Sequence, residues 1–426
     1  MPPPLDFAKM RQFAVEVVGR LRAKGHEALW AGGCVRDQLL GLTPKDYDVA
    51  TSAHPEQIRE IFGSKRTLPI GAAFGVISVL GPKGAGHIEV ATFRRDAEYL
   101  DGRHPSGVTF TNAEEDAKRR DFTINGIFYD PLLERVIDYV GGQQDLENRV
   151  VRAIGDPRQR FAEDKLRMLR AIRFAATFEF ALDSETLVAI RQQADELTVV
   201  SVERIASELR RMLVHPQRKR AMQLMRDSRL LEVVFPEVAS AAMAPPENEP
   251  AHTWENKLAI LDRLAEPTFS MALAAMLRDL GEAGEPRLEL AGQICWGLSL
   301  SNEESGGVHK LLAEESLIRR APQLPWPRLQ RILIAPRIGE LLDYAAAVAT
   351  VLDGTTASVD HCRQMLLLPA DQLDPPPLIS GDDLLAAGIP QGPRYRLILE
   401  AVRDAQLEGK VSTKEAALAL ARKLAE

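Results

Sequence analysis

Asp46 and Asp48 stand two residues apart in DYDVAT, a run that reads as a strand. Alternate residues of a strand share a face, so both carboxylates point to one side. Held that close they repel each other unless a cation lies between them, and oxygen donors with no His or Cys nearby favour Mg²⁺. The competing reading is a solvated loop, since Asp pairs are common. Gly32 and Gly33, upstream in AGGCVRDQLLG, favour the chemical one. Glycines ahead of a helix let backbone N–H groups approach a phosphate, and Arg36, one turn in, can add positive charge. Metal and phosphate elements within about fifteen residues suit a nucleoside triphosphate bound as its Mg²⁺ complex.

Three later stretches carry further candidates. Glu89, between Ile88 and Val90 in HIEVATFR, is either the wet face of a strand or a third carboxylate beside Asp46 and Asp48. In KRRDFTINGIFYD, Arg120 emerges ahead of an apolar run containing Asn125, where a guanidinium could meet triphosphate or sugar hydroxyls; an Arg pair can equally be a solvated surface feature. From Pro157 the period turns helical, and in PRQRFAEDKLRMLRAIRFAATF the residues Asp164, Arg167, Arg170 and Arg173 recur every three. Each such step lags a full helical turn by roughly 60°, so neighbours in this row are adjacent.

Asp164 and Arg167 could be only an i,i+3 ion pair of about 0.2–0.5 kcal/mol. They could also form a base-reading edge, in which the carboxylate accepts from an exocyclic amino group and the arginine donates to a ring nitrogen. Cytosine and adenine offer that amino group. Uracil and guanine put carbonyl oxygens there and set lone pairs against the carboxylate, so the pair would accept C and A and refuse U and G.

These residues need elements to hold them. A length of 426 residues allows two to four domains with proper cores, and 45% apolar with 27% charged residues is the balance of an ordinary globular protein. The net charge of −7 argues against a wholly basic surface but leaves room for local nucleic-acid patches. Cys34, Cys295 and Cys362, odd in number and far apart, give neither a disulfide framework nor a zinc site, which fits a reducing cytoplasm. No apolar run reaches membrane-span length, and MPPPLDFAKM lacks the basic start and apolar core of a signal peptide.

In chain order the pattern predicts a helix over residues 6–24 ending at Gly25, a strand from Glu27 to Ala31, and a Ser/Thr-capped helix over PEQIREIFG. Strands follow at Phe74 to Leu80 and His87 to Phe93 around the turn GPKGAG, then a mobile loop or lid from Arg95 to Lys118. SVERIASELRRMLVHP and RKRAMQLMRDSRLLEVVFP read as amphipathic helices, the first capped by Ser201. Arg210, Arg211, Arg218, Lys219 and Arg220 could form one stripe with Arg158 and Arg160 along an RNA backbone, or simply solvate helix faces. APPENEP, residues 244–250, is the clearest linker, and the rest is helical. Three domains result: 1–156, mixed α+β; 157–243, helical; and 251–426, helical.

Taken in series, AGGCVRDQLLG with DYDVAT, IEVATFR, KRRDFTINGI, EDKLRMLRAIRF and SVERIASELRRML resemble the class II tRNA nucleotidyltransferases, the CCA-adding enzymes and their bacterial poly(A) polymerase relatives. The resemblance implies an α+β fold with a polymerase-β-like nucleotidyltransferase head followed by an all-helical neck, body and tail. It implies that Gly33 and Arg36 contact the incoming nucleotide, that Asp46 and Asp48 bind Mg²⁺ with Glu89 beside them, and that Arg120 meets ribose and phosphates. Asp164 and Arg167 match the family's protein template for C and A, with Arg170 and Arg173 as triphosphate-binding or helix-supporting neighbours. HTWENKLAILDRL and SMALAAMLRDLGE resemble HD-type helices, but Asn256 and Arg278 stand where histidines are expected and leave Asp279 without its partner, so scaffolding is the better reading there.

The expected activity is untemplated addition of C, C and A to tRNA 3′ ends from CTP and ATP, with pyrophosphate released. One Mg²⁺ would activate the 3′-hydroxyl and a second would steady the leaving group. The partners are tRNA, ATP and CTP, with neither DNA nor membrane expected, in the cytoplasm. The alternatives are an A-adding or CC-adding enzyme, a poly(A) polymerase, an HD-type phosphohydrolase opposed by the missing histidines, and a non-catalytic RNA-binding protein. The intact D-x-D and E-D-x-x-R motifs oppose the last.

Overall fold

The computed structural model describes residues 6–71, 74–96, 107–243, 254–280 and 284–425. The expected linker 244–250 and the centre of the expected lid, 97–106, lie outside them. Two compact units emerge, Met1–Ser240 and Ala241–Glu426.

In the first unit, Asp6 caps helix α1 (Phe7–Ala23), its carboxylate accepting from the N–H groups of Ala8 and Lys9. Gly25, at φ +85°, turns the chain out of the helix. Strand β1 (Ala28–Ala31) leads into the short helix α2 (Gly33–Leu39). Strand β2 (Asp48–Thr51), helix α3 (Pro55–Phe62), β3 (Thr67–Leu68), β4 (Val76–Leu80) and β5 (His87–Thr92) follow. The cap of α3 is His54 rather than Ser or Thr, with Gln57 reaching back to the His54 N–H in a capping box.

The segment read as a structureless lid begins and ends in regular structure. Strands β6 (Arg94–Asp96) and β7 (Val108–Phe110) pair antiparallel, and helix α4 (Ala113–Lys118) starts at Asn112, whose side chain caps it. Strands β8 (Phe128–Asp130) and β9 (Arg135–Ile137), helix α5 (Gly142–Glu147) and the two-residue β10 (Val150–Val151) complete this part. The main sheet has the order β3-β4-β5-β2-β1-β8-β9. Its register sets Ala31 opposite Asp48, Asp48 beside Glu89, and Glu89 opposite Ser78, one row across four strands. In β5 the alternation buries Ile88 and Val90 and leaves His87 and Glu89 open.

The helical layer of this unit differs from the sequence reading at two points: RKRAMQLMRDSRLLEVVFP is two helices parted at Arg229, whose φ is +66°, and the stretch after Pro157 is also divided. Instead of a continuous helix there are two, α6 (Pro157–Glu163) and α7 (Leu166–Thr177), broken at Asp164, whose backbone is extended. After β11 (Ala181–Leu182) come α8 (Ser184–Gln193), α9 (Val202–Leu213), α10 (Arg218–Asp227), α11 (Leu230–Val234) and α12 (Pro236–Met243). Helix α7 packs on α9 and α10 through an apolar face that includes Met168, Leu169 and Ile172. It is tied to the sheet side by Phe122 meeting Phe174 edge-on at 5.7 Å and by Arg170, which donates to Asp121 at 2.9 and 2.6 Å.

Three of the arginines offered for a basic stripe turn to backbone carbonyls. Arg160 donates to the carbonyls of Ile154, Arg119 and Lys118, Arg220 to that of Phe180, and the buried Arg218 to that of His215. These guanidiniums satisfy carbonyls near helix ends.

In the second unit α13 (Trp254–Arg263), α14 (Phe269–Leu277), α15 (Glu285–Gly297), α16 (Asn302–Arg319), α17 (Trp326–Leu333), α18 (Ile338–Leu352) and α19 (Ala357–Met365) form a bundle centred on α16. The short α20 (Ala370–Leu373) leads to α21 (Gly381–Ala386), α22 (Arg394–Leu407) and α23 (Lys414–Ala425), which share a core of Leu384, Ile398, Val402, Ala417 and Ala421. Asp279 has cationic partners after all, Arg278 at 2.5 Å and the ammonium of buried Lys257 at 3.6 Å. Burial pulls Lys257 down to about 8 against the attraction of Asp279.

Burial alone would raise the Asp121 carboxyl, but Arg170, with hydrogen bonds from Asn125 and the Phe122 N–H, overrides it and holds the group at about 2. A folded pKa below the unfolded one stabilises at pH above the ordinary carboxylate range, and this contribution is lost as pH falls towards 2. Arg170→Met strands the carboxylate and should cost ~3 kcal/mol in denaturant unfolding at neutral pH, with a smaller difference in acid. A loss below about 1 kcal/mol at neutral pH would contradict the role given to this pair.

Candidate active site

The site starts from the sheet row. Asp48 opens strand β2, while Asp46 lies in the bend just before it, so the two are not on one strand as the sequence suggested. They nonetheless share a cleft, because Tyr47 between them turns inward and packs on Trp30 at 4.8 Å. Glu89 joins from β5. Asp48 opens to cleft water yet lies deep among protein atoms. That burial, then Asp46 and Glu89, pushes its carboxyl up to about 7 against the pull of Arg120.

On one flank Gly32, at φ +73°, precedes α2, whose first turn has no side-chain cap. Its N–H groups therefore remain available to an anion. A Cβ on Gly32 would lie 3.1 Å from the Arg120 guanidinium, so this glycine permits both the turn and the close approach of the arginine. Gly33 has no such conflict, a Cβ there meeting only Arg36 at 3.6 Å. Arg120 is aimed by buried Asp116, which it grips at 3.2 and 3.0 Å, and by the Phe128 ring. Arg36 is already engaged: it donates to Asp37 at 2.9 and 2.7 Å and to Asn125 at 2.7 Å, and it lies over Phe178 at 4.4 Å. The charge it offers a phosphate comes from a fixed guanidinium.

The opposite wall is α7 and the break before it. Asp164 accepts from the Leu166 N–H at 3.1 Å and from Arg204 of α9 at 3.2 and 2.8 Å. Arg167 reaches back to the carboxylate of Glu163 and the carbonyl of Arg160. The side-by-side helical pair of the sequence reading is thus two groups braced from different directions. Arg173 donates to Glu208 at 2.5 Å, and Arg170 holds Asp121. Both support the helix while lining the cleft.

Gly33, Arg36, Asp46, Asp48, Glu89, Arg120, Asp164, Arg167, Arg170 and Arg173, to which the resemblance gives roles in the reaction, all line this one cleft of about 1370 Å³, more than the few hundred to about 1,000 Å³ typical of a single small ligand. Arg204, which the sequence reading missed, and Arg211, which it placed in a basic stripe, line it too. The sequence signal for Arg204 is that Arg204, Glu208 and Arg211 share one face of α9 at i, i+4 and i+7.

Residues 28–152 match the family described as the Poly A polymerase head domain, and residues 179–242 match the probable RNA and SrmB- binding site of polymerase A. A CCA-adding enzyme of Lactobacillus gasseri is 34% identical over 413 residues, 95% of each chain. This chain belongs to the CCA-adding enzyme family. Another member, from Anoxybacillus flavithermus, is 42% identical over 228 residues, 53% of this chain and 56% of that one. The crystal structure of the Bacillus stearothermophilus CCA-adding enzyme in complex with CTP aligns over 97% of each chain with a TM-score of 0.72 and 26% identity. The Thermotoga maritima CCA-adding enzyme complexed with tRNA shares the fold, with a TM-score of 0.66 at 20% identity. Nucleotidyltransferases of the CCA-adding family generally depend on a divalent metal ion.

The acidic centre fits such an ion. Asp46 and Asp48 supply hard oxygen donors, and their mutual repulsion is relieved by a cation. Among the described residues no three His, Cys, Asp or Glu side chains form a group able to hold a metal ion. Glu89 stands beside Asp48 in the same cleft, and triphosphate oxygens and water would complete the shell of an ion held there.

Because the folded pKa of Asp48 exceeds its unfolded value, its ionised form costs stability above about pH 7, and the cost fades as pH falls towards 4. In chelator-treated protein Asp48→Asn should melt at a higher temperature than the parent near pH 8, with the gap closing in acid. Equal melting near pH 8 would rule out the crowding described here.

Proposed function

We propose that this protein adds C, C and A to the 3′ end of tRNA from CTP and ATP, releasing pyrophosphate. The observation that carries the reading is the single cleft that sets two carboxylates and a bare helix start against the Asp164 and Arg167 wall. We assign Asp46 and Asp48 as Mg²⁺ ligands with Glu89 as a flanking acid, and Gly33, Arg36 and Arg120 to the nucleotide's sugar and phosphates. Asp164 and Arg167 read the base edge, and Arg170 and Arg173 hold their helix. Bound Mg²⁺ would supply Lewis-acid charge stabilisation to the attacking and leaving oxygens.

The chain's own residues do the rest. The α2 N–H groups and Arg120 bind phosphate oxygens, and Arg36 keeps positive charge at the same flank. Asp164 accepts from the amino group of cytosine or adenine, and a carbonyl in that place loses the hydrogen bond and meets repulsion. The acidic trio disfavours an ionised hydroxyl unless a cation shares the site. Three buried, free cysteines accord with a cytoplasmic setting, and among the described residues no helix is long and apolar enough to cross a membrane.

Among the alternatives, a CC-adding, an A-adding and a poly(A)-adding enzyme differ in which ends grow. Purified protein is incubated with tRNAs ending before the first C, between the two C residues, and before the A, with CTP and ATP supplied separately. Growth of all three ends, each with its proper nucleotide and then arrest, is expected; growth of one class only, or a homopolymer of A, would replace the assignment. Asp46→Ala and Asp48→Ala should each reduce incorporation by at least about a thousandfold while circular dichroism stays that of the parent. Activity persisting in both would remove them as metal ligands.

A further inference from the structure

Asp164 is not free to turn. Its two carboxylate oxygens offer about four lone-pair directions, and three are already occupied. Oδ1 accepts from the Leu166 N–H at 3.1 Å and from Arg204 Nη1 at 3.2 Å, and Oδ2 accepts from Arg204 Nη2 at 2.8 Å. The guanidinium fork thus spans both oxygens, a geometry that fixes the plane of the carboxylate as well as its position. One acceptor direction remains, on Oδ2. Asp164 sits at the break between α6 and α7, where its backbone is extended and no helical frame fixes its side chain. What orients it comes from α9, forty residues on in sequence.

We propose that Arg204 is a positioning residue for base selection, holding the Asp164 carboxylate so that its single remaining acceptor meets the amino group of cytosine or adenine. The inference rests on the reading of Asp164 as the group that contacts the base. An unclamped carboxylate could rotate and present either edge, or step aside and let water meet a carbonyl, so U and G would be refused less strictly. The same face of α9 braces the rest of the wall, since Glu208, one turn on from Arg204, holds Arg173 at 2.5 Å. Arg204 therefore acts through Asp164 and needs no contact with the nucleotide.

The full chain is assayed on tRNA ending between the two C residues, with kcat/KM measured for CTP and UTP in the parent, Arg204→Gln, Arg204→Lys and Asp164→Ala. Arg204→Gln should lower the CTP-to-UTP ratio about tenfold or more, since the site loses a fixed hydrogen-bonding edge. Arg204→Lys keeps the charge and the packing but not the fork, and should fall between Gln and the parent. A purely architectural role would lower melting temperature and slow both nucleotides alike, leaving the ratio where it was. An unchanged ratio in both Arg204 variants beside a collapsed one in Asp164→Ala overturns the proposal and leaves the reading of Asp164 intact. An unchanged ratio in all three removes Asp164 from base selection as well. A lower KM for CTP in Arg204→Gln would also overturn the proposal, because it would make Arg204 a competitor for the carboxylate. Should Arg204→Gln not fold, the lysine variant decides by the same ratio.

Discussion

The part-buried contact between Asp121 and Arg170 sets the relation on which the site depends. Asp121 follows directly on Arg120 beside the sheet, and Arg170 lies at the middle of α7. Joining them ties α7, one wall of the cleft, to the segment beside the acidic row. Ionic contacts with little solvent access give less net stability than their Coulomb energy suggests, since both charges must shed water. Their value here is geometric: a bidentate arginine allows one orientation and few neighbouring ones. Phe122 against Phe174 fills the same joint with apolar area, so charge supplies direction and packing supplies most of the adhesion.

Charge in the cleft is divided by surface. The sheet side is acidic and underneutralised, which is why Asp48 is pushed up to about 7. The arginines around it are paired beforehand with Asp37, Asp116, Asp121, Glu163 and Glu208. A polyanion entering this space meets guanidiniums whose direction is already set and loses little side-chain entropy in ordering them. The demands of triphosphate and carboxylates are complementary, and a cation between them satisfies both.

Most of the site could be read from the sequence, because each motif is short and its chemistry local. Gly32 and Gly33 before an amphipathic turn, D-x-D ahead of an apolar run and E-D-x-x-R in a helical stretch announce themselves within a few residues. The failures have a common physical origin in long-range contacts. Periodicity carried a single helix through Asp164, yet the carboxylate finds Arg204 on α9 and the backbone opens to let it. Arg160 and Arg218 read as surface charge, and in the fold they satisfy carbonyls near helix ends. His54 outcompeted the neighbouring Thr51 and Ser52 as a cap through its capping box with Gln57. The polar stretch after Arg94 lacked a period because its two strands are three residues long and its helix six. The second unit was legible as helices but not in its interior, where a lysine ammonium shares a carboxylate with an arginine.

One feature of the sheet reaches beyond the chemistry of the cleft. Strands β2 and β5 run parallel in a sheet whose other pairs are antiparallel, and this places Asp48 next to Glu89 although the two are far apart along the chain. Closing that pairing requires the whole intervening segment, α3 with β3 and β4, to swing over and return in register. The ladder that completes the sheet is thus also the step that forces like charges together. Assembly of the polypeptide and its appetite for a counterion are a single topological event, and neither can be had without the other.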